Sequence, residues 1–371
     1  MKTLIIASLI SLSFSVSAEI PAAPDNYTTC NNVKCSNYIV SKFNIHPSFF
    51  GGDYVYAEPV YASADYPSEN LLFKPTSSVL MFNQTTGVLY EAVKDYKYDK
   101  GAISFPAGTS VPLAPAGFSK PVKQDKSFNV KVTPEYQAYQ IPASYKKNQS
   151  LNLAIYGKIT DLRSFIMKSN DLKITFFGDS ITFGANATDT YSAPNQPPYV
   201  GLVSAYMSML KGGRFAWYNP SVPGWNSSNA ANDNTNRMLK LDSSVYVLAF
   251  GVNDSNDEKP EIFIENMEKL IKNIKLKNKD ARIVLMSPSR PNPEWILPNK
   301  EFFEGYSRGL KSLSEKYDNT TFINVTDVWN QILKRKNIWA ITGNGVNHPN
   351  DYGHRVIAEA LLTALLGDEF T

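Results

Sequence analysis

Imidazole is the side chain best suited to taking a proton at neutral pH, and the chain has three: His46, His348 and His354. Such a base matters where it activates a hydroxyl that is a poor nucleophile alone. Ser180 is a hydroxyl in a suggestive place. It follows an apolar run (Ile174, Phe176, Phe177) and Gly178-Asp179, and another glycine comes at 184. The pattern reads as a buried strand ending in a tight turn. Reactive groups of α/β folds sit at such strand ends, where backbone N–H groups open the next helix. A plain strand-to-helix turn capped by Asp179 or Ser180 has the same local pattern, so Gly-Asp-Ser alone decides little.

The elements around Ser180 therefore carry the next step. After residue 170, apolar strands alternate with amphipathic helices. LKITFFG is followed by a helix around 198–210, then by RFAWYN, SSVYVLAFG, ARIVLMS and TFINVTDV as strands two to five. Helices are predicted near 261–275, 302–317 and 351–366. Repeated βα units imply a parallel sheet covered on both faces, with the active site at the strand carboxyl ends. The segments leaving those ends are GDSITFG, NPSVPGWNSS and GVNDSN, and the loop before the last helix is GNGVNHPNDYGH. Ser180, Gly224, Asn253 and His348 fall in these four loops.

Four blocks carrying Ser, Gly, Asn and His in this order resemble the SGNH (GDSL-type) hydrolase superfamily over residues 171–371. The resemblance implies a flavodoxin-like α/β domain with a five-stranded parallel sheet flanked by helices. It implies Ser180 as nucleophile and His348 as its base, with His354 a helix residue outside the chemistry. The oxyanion hole would consist of the backbone N–H groups of Ser180 and Gly224 and the side-chain amide of Asn253. Asp179 is expected to hold the turn. One position departs from the family pattern: the aspartate expected three residues before the catalytic histidine is Gly345, with Asn344 and Asn347 as neighbours. Asp351 and His354 satisfy the spacing literally, but Asp351 also reads as the N-cap of the last helix. The third member is left open among a backbone carbonyl, an asparagine and a carboxylate from elsewhere.

The implied reaction is acyl transfer to water, which requires no metal and no organic cofactor. No metalloprotease, P-loop or dinucleotide motif is present in the sequence. An acylated carbohydrate is the favoured substrate, by analogy with secreted family members that carry a β-rich companion domain. Trp225, Trp295 and Trp339 are candidate walls of a sugar cleft, packing being the commoner use of such residues. A lipid or small-ester esterase or lysophospholipase is the rival enzyme, with PNPEWILPNKEFF at 291–303 as a short candidate cover. An acyltransferase would use the same groups. A carbohydrate-binding protein with an inactive hydrolase domain draws support from the missing aspartate.

The first half has a different texture. Residues 19–160 alternate short aromatic or apolar runs (YVYAEPVYA, SSVLMF, GVLYEAV, AISF, FNVKV, LNLAIYGKI) with turn-rich pieces, as in a β-sandwich or jelly roll. Tyr54, Tyr56, Tyr61, Tyr96, Tyr98, Tyr136 and Tyr139 fit either strand packing or a sugar-stacking face. Ahead of it, Met1-Lys2, an apolar run from Leu4 to Val16 and Ser17-Ala18 read as a signal peptide at 1–18, implying export to the periplasm or the exterior. Cys30 and Cys35 would then close a small disulfide loop. No other run suggests an integral membrane segment. The formal charge is +3 and the basic residues are scattered, which points away from nucleic acid as partner.

Overall fold

The computed structural model describes residues 33–119 and 129–370. The expected signal peptide and Cys30 lie outside the described residues. Cys35, buried on the first helix, is disulfide-bonded.

The N-terminal half begins with helix α1 (Val33–Lys42) and contains strands β1 (Tyr54–Tyr61), β2 (Ser68–Asn70), β3 (Leu80–Met81), β4 (Lys97–Asp99), β5 (Ala102–Ser104) and β6 (Gln140–Lys146). They pair antiparallel in two three-stranded sheets, ordered β1-β6-β3 and β2-β5-β4. The sandwich or jelly-roll expectation thus resolves into two small sheets joined by irregular chain. GVLYEAV contributes only isolated bridges, Leu89 to Phe82 and Ala92 to Tyr96, and residues 129–132 of FNVKV are irregular.

The C-terminal half is built from β7 (Ile155–Gly157), α2 (Ile159–Lys168), β8 (Leu172–Gly178), α3 (Ser180–Phe183), α4 (Tyr199–Lys211), β9 (Phe215–Tyr218), α5 (Ser227–Asp233) and β10 (Val245–Ala249). It continues through α6 (Pro260–Lys277), β11 (Arg282–Met286), α7 (Phe302–Lys316), β12 (Thr320–Ile323), α8 (Val325–Leu333), α9 (Ile338–Ile341) and α10 (Asp351–Leu366). One six-stranded sheet runs β7-β12-β11-β10-β8-β9. Its five strands from β8 to β12 are parallel, in the flavodoxin-like order, and β7 adds an antiparallel edge that the sequence reading placed with the preceding region. TFINVTDV is strand only as far as Ile323. Asn324 then caps α8, its side chain accepting from the N–H of Asp327.

Side chains alternate across this sheet because successive residues of a strand face opposite ways. Ile174, Phe176, Val245 and Val247 pack in one core, with α4, α8 and α10. Phe177, Tyr246, Leu248 and Leu285 pack in the other, under α6 and α7. The first core continues without a break into the N-terminal half through Val60, Tyr61, Met81, Tyr136 and Ile141. Buried ionic contacts cross the same junction. The ammonium of Lys336 lies 3.0 Å from Glu58 and 3.3 Å from Glu69, and it also donates to the carbonyls of Pro59 and Asn70.

Candidate active site

The topology reverses between β8 and β10, the point at which open α/β sheets form a crevice. Ser180 leaves β8 there and Asn253 follows β10. Asp179 caps α3, its carboxylate accepting from the N–H of Ile181 at 2.9 Å. Its place is structural, as expected, and burial pushes its carboxyl up to about 7.

Ser180 Oγ lies 2.9 Å from Nε2 of His348. The other ring nitrogen, Nδ1, lies 2.7 Å from Oδ1 of Asn186. An amide oxygen only accepts, so Nδ1 carries the proton and Nε2 is left to accept from the serine hydroxyl. Asn186 follows the left-handed Gly184 that ends α3, and is itself left-handed at φ +63°. Its amide nitrogen donates to Gly343 O at 3.2 Å, which fixes the plane of the amide. Burial, with no charged partner, pushes the His348 imidazole down to about 4, so it is a neutral base at pH 7.

The histidine loop is held from three directions. Asn344 Oδ1 accepts the N–H groups of Val346, Asn347 and His348 at 3.0 to 3.2 Å. Asn292, in the 291–303 segment, donates to Gly345 O and, through its backbone, to Val346 O. That segment braces the loop, with Trp295 buried. From the N-terminal half, Gln137 donates to Asn186 O and Gly343 O, and Gln140 donates to Trp339 O and Thr342 O.

Gly345, where the resemblance leads one to expect aspartate, has φ +89°. A Cβ there would lie 2.5 Å from the Tyr136 ring and 2.6 Å from Lys131 O. The N-terminal half fills the space an acidic side chain would need, and Asn186 supplies the hydrogen bond from another loop. Asn186 was missed in the sequence. Its only signal was an asparagine, a residue tolerant of the left-handed region, just after Gly184.

His354 is a helix residue, fully buried on α10. Its Nδ1 accepts from Tyr199 N–H at 3.3 Å and its Nε2 donates to Ala185 O at 3.1 Å. The N-cap of α10 is Asn350, accepting from Gly353 N–H, and not Asp351. Asp351 binds the N–H and hydroxyl of Thr188 instead. The hydrogen bonds of both His354 and Asp351 go to residues other than Ser180.

Gly224 and Asn253 are tied to this centre through the loop after β9. Val222 N–H donates to Gly178 O at 3.2 Å, and Asn253 Nδ2 donates to Trp225 O at 2.9 Å. One N–H of the Asn253 amide is used in that bond and a second remains. Gly224 is left-handed at φ +82°. Of the tryptophans, Trp295 and Trp339 belong to the core, Trp339 stacked on Tyr136 with centroids 5.0 Å apart. Trp225 is half-buried, beside Phe177 and Arg237. Tyr61, Tyr96 and Tyr136 are likewise buried, so they pack the fold and offer no face to a ligand.

Residues 176–356 match the family model described as GDSL-like lipase/acylhydrolase. That region is a domain of the family. It is a carboxylic ester hydrolase on this ground, with the SGNH fold. No curated protein sequence matches the chain. Among solved structures, an acetylxylan esterase from Geobacillus stearothermophilus is similar at 19% identity, with 55% of this chain and 98% of that one covered and a TM-score of 0.46. A two-domain esterase active on acetylated mannans is similar at 19%, covering 57% and 54%, at 0.45. A GDSL-like lipase from Parabacteroides merdae is similar at 22%, covering 53% and 96%, at 0.44.

Proposed function

We propose that this hydrolase is an exported serine esterase that removes O-acetyl groups from a carbohydrate. The observation that carries the mechanism is the run of contacts Ser180 Oγ, His348 Nε2, His348 Nδ1 and Asn186 Oδ1, at 2.9 and 2.7 Å. His348 takes the Ser180 proton as Oγ attacks the ester carbonyl. The tetrahedral oxyanion is met by the N–H groups of Ser180 and Gly224 and by the Asn253 amide. His348 then returns the proton to the leaving sugar hydroxyl, and the acyl-serine forms. Water, deprotonated by the same imidazole, releases acetate and restores Ser180. Asn186 holds the imidazole in the tautomer that leaves Nε2 basic. It orients the ring where the missing aspartate would have done so, which weighs against an inactive hydrolase domain.

Acetyl-carbohydrate chemistry is the class that the Geobacillus and mannan esterases are named for. Export rests on the sequence of residues 1–18. The test is acetate release from an acetylated xylo-oligosaccharide, beside p-nitrophenyl acetate, butyrate and octanoate. Acetate release from the sugar, with kcat/KM falling from acetate to octanoate, is the expected result. A rise toward octanoate with an untouched oligosaccharide would establish the lipid-esterase reading instead. Adding a free acceptor sugar and analysing products separates hydrolysis from acyl transfer.

A further inference from the structure

A cleft of about 860 Å³ separates the N-terminal half from the loop after α3. One wall is the turn between Phe82 and Tyr90, presenting Asn83, Gln84 and Tyr90. The opposite wall carries Phe183 and Tyr191, which are 54% and 83% exposed. Asn186, which binds His348, and Pro223, which precedes Gly224, also line it. The cleft thus borders the residue that holds His348, at a size in the range of ligand sites.

We infer that this cleft binds an uncharged stretch of the glycan that carries the ester, so that the N-terminal half supplies part of the substrate site. The inference rests on the esterase reading above and adds the class of glycan. Three features of the lining select it. Exposed rings and side-chain amides line it together, a mixture suited to the apolar faces and hydroxyl edges of sugar rings. Ile141 is the one long aliphatic side chain among the described lining residues, too little for a fatty acyl chain. The charged lining residues described are Glu135 and Asp189, both acidic, and the cation beside them, Lys131, is already paired with Glu135 at 2.9 Å, so a uronate or a phospholipid headgroup would have to compete for it against a carboxylate.

The test uses the full chain with two independent readouts. Binding is measured by calorimetry with Ser180→Ala and Ser180→Ala/Tyr191→Ala, against acetylated xylopentaose, acetylated alginate oligomers and phosphatidylcholine vesicles. Steady-state kinetics compare the wild type with Tyr191→Ala on acetylated xylopentaose and on p-nitrophenyl acetate. The expected result is binding of the neutral oligosaccharide alone, weakened about tenfold by Tyr191→Ala. KM for the oligosaccharide should then rise about tenfold more than KM for p-nitrophenyl acetate. Equal effects on both esters, no effect of Tyr191→Ala on binding, or tighter binding of the alginate oligomers or vesicles would overturn the inference. A wild type inactive on every ester whose Ser180→Ala form still binds the sugar through Tyr191 would refute the esterase reading and leave the cleft assignment standing.

Discussion

At the scale of the residue, the neutral partner of His348 has the clearest consequences. A carboxylate at Nδ1 would both orient the ring and stabilise the imidazolium formed as Ser180 attacks, whereas the Asn186 amide does only the first. Burial without a charged partner sets the imidazole at about 4, so the acid limb of kcat/KM should extend well below the 6.5 of a free histidine. Asn186→Asp, at a left-handed position that aspartate tolerates, places a negative charge against the ring. It should move that acid limb upward by about one to three pH units, the sign expected when an opposite charge favours the protonated base. Asn186→Ala should cost roughly 10²-fold or more in kcat, with KM little changed, because the useful tautomer is no longer held. Initial rates across pH 4 to 9 check both. The pairing of Ser180 with His348 was legible in the sequence because imidazoles are few, Ser180 stands at a strand end and His348 lies in the loop before the last helix. Asn186 was not, since its role depends on how one turn brings an amide back over the histidine loop.

At the scale of the element, the loop from Thr342 to Asn350 is shaped by what packs on it. Tyr136 and Lys131 close the space beside Gly345, so restoring the family's aspartate at that place should fail. Gly345→Asp has to adopt a positive φ and displace a buried ring. The expected cost is about 2 kcal/mol or more, with loss of activity and no gain from the new carboxylate. Urea unfolding together with the rate on p-nitrophenyl acetate measures both effects; a stable and faster variant would contradict this packing. The long elements here were readable: α4, α6, α7 and α10 lie where apolar spacing put them, and the parallel strands are continuous apolar runs because both faces are covered. The short ones were not. β3 is two residues long and pairs with β6, some sixty residues further on, a partnership that no local pattern encodes. The first turn of α8 was read as strand because Val325, Thr326 and Val328 favour extended chain, and packing of Val325, Val328 and Trp329 against the first core outweighs that preference.

At the scale of the whole molecule, the two halves are one packed object whose N-terminal part holds the catalytic loops in place. Composition marked a change of texture near residue 160, yet β7 joins the C-terminal sheet and a single core crosses the junction, because distant segments meet only after folding. The buried Lys336 between Glu58 and Glu69 ties that junction electrostatically. Lys336→Met leaves two buried carboxylates without their cation and should cost about 3–5 kcal/mol. Thermal unfolding should show the loss, and replacing Glu58 and Glu69 by glutamine in the same chain should recover part of it.

The central claim is that Ser180 is a nucleophile made reactive by His348. Labelling with diisopropyl fluorophosphate, followed by peptide mass mapping, addresses it most directly. One adduct per chain on Ser180 in the wild type, formed about three decades more slowly in His348→Ala, is the expected result. An adduct on another residue, or equal labelling rates in the two proteins, would contradict it.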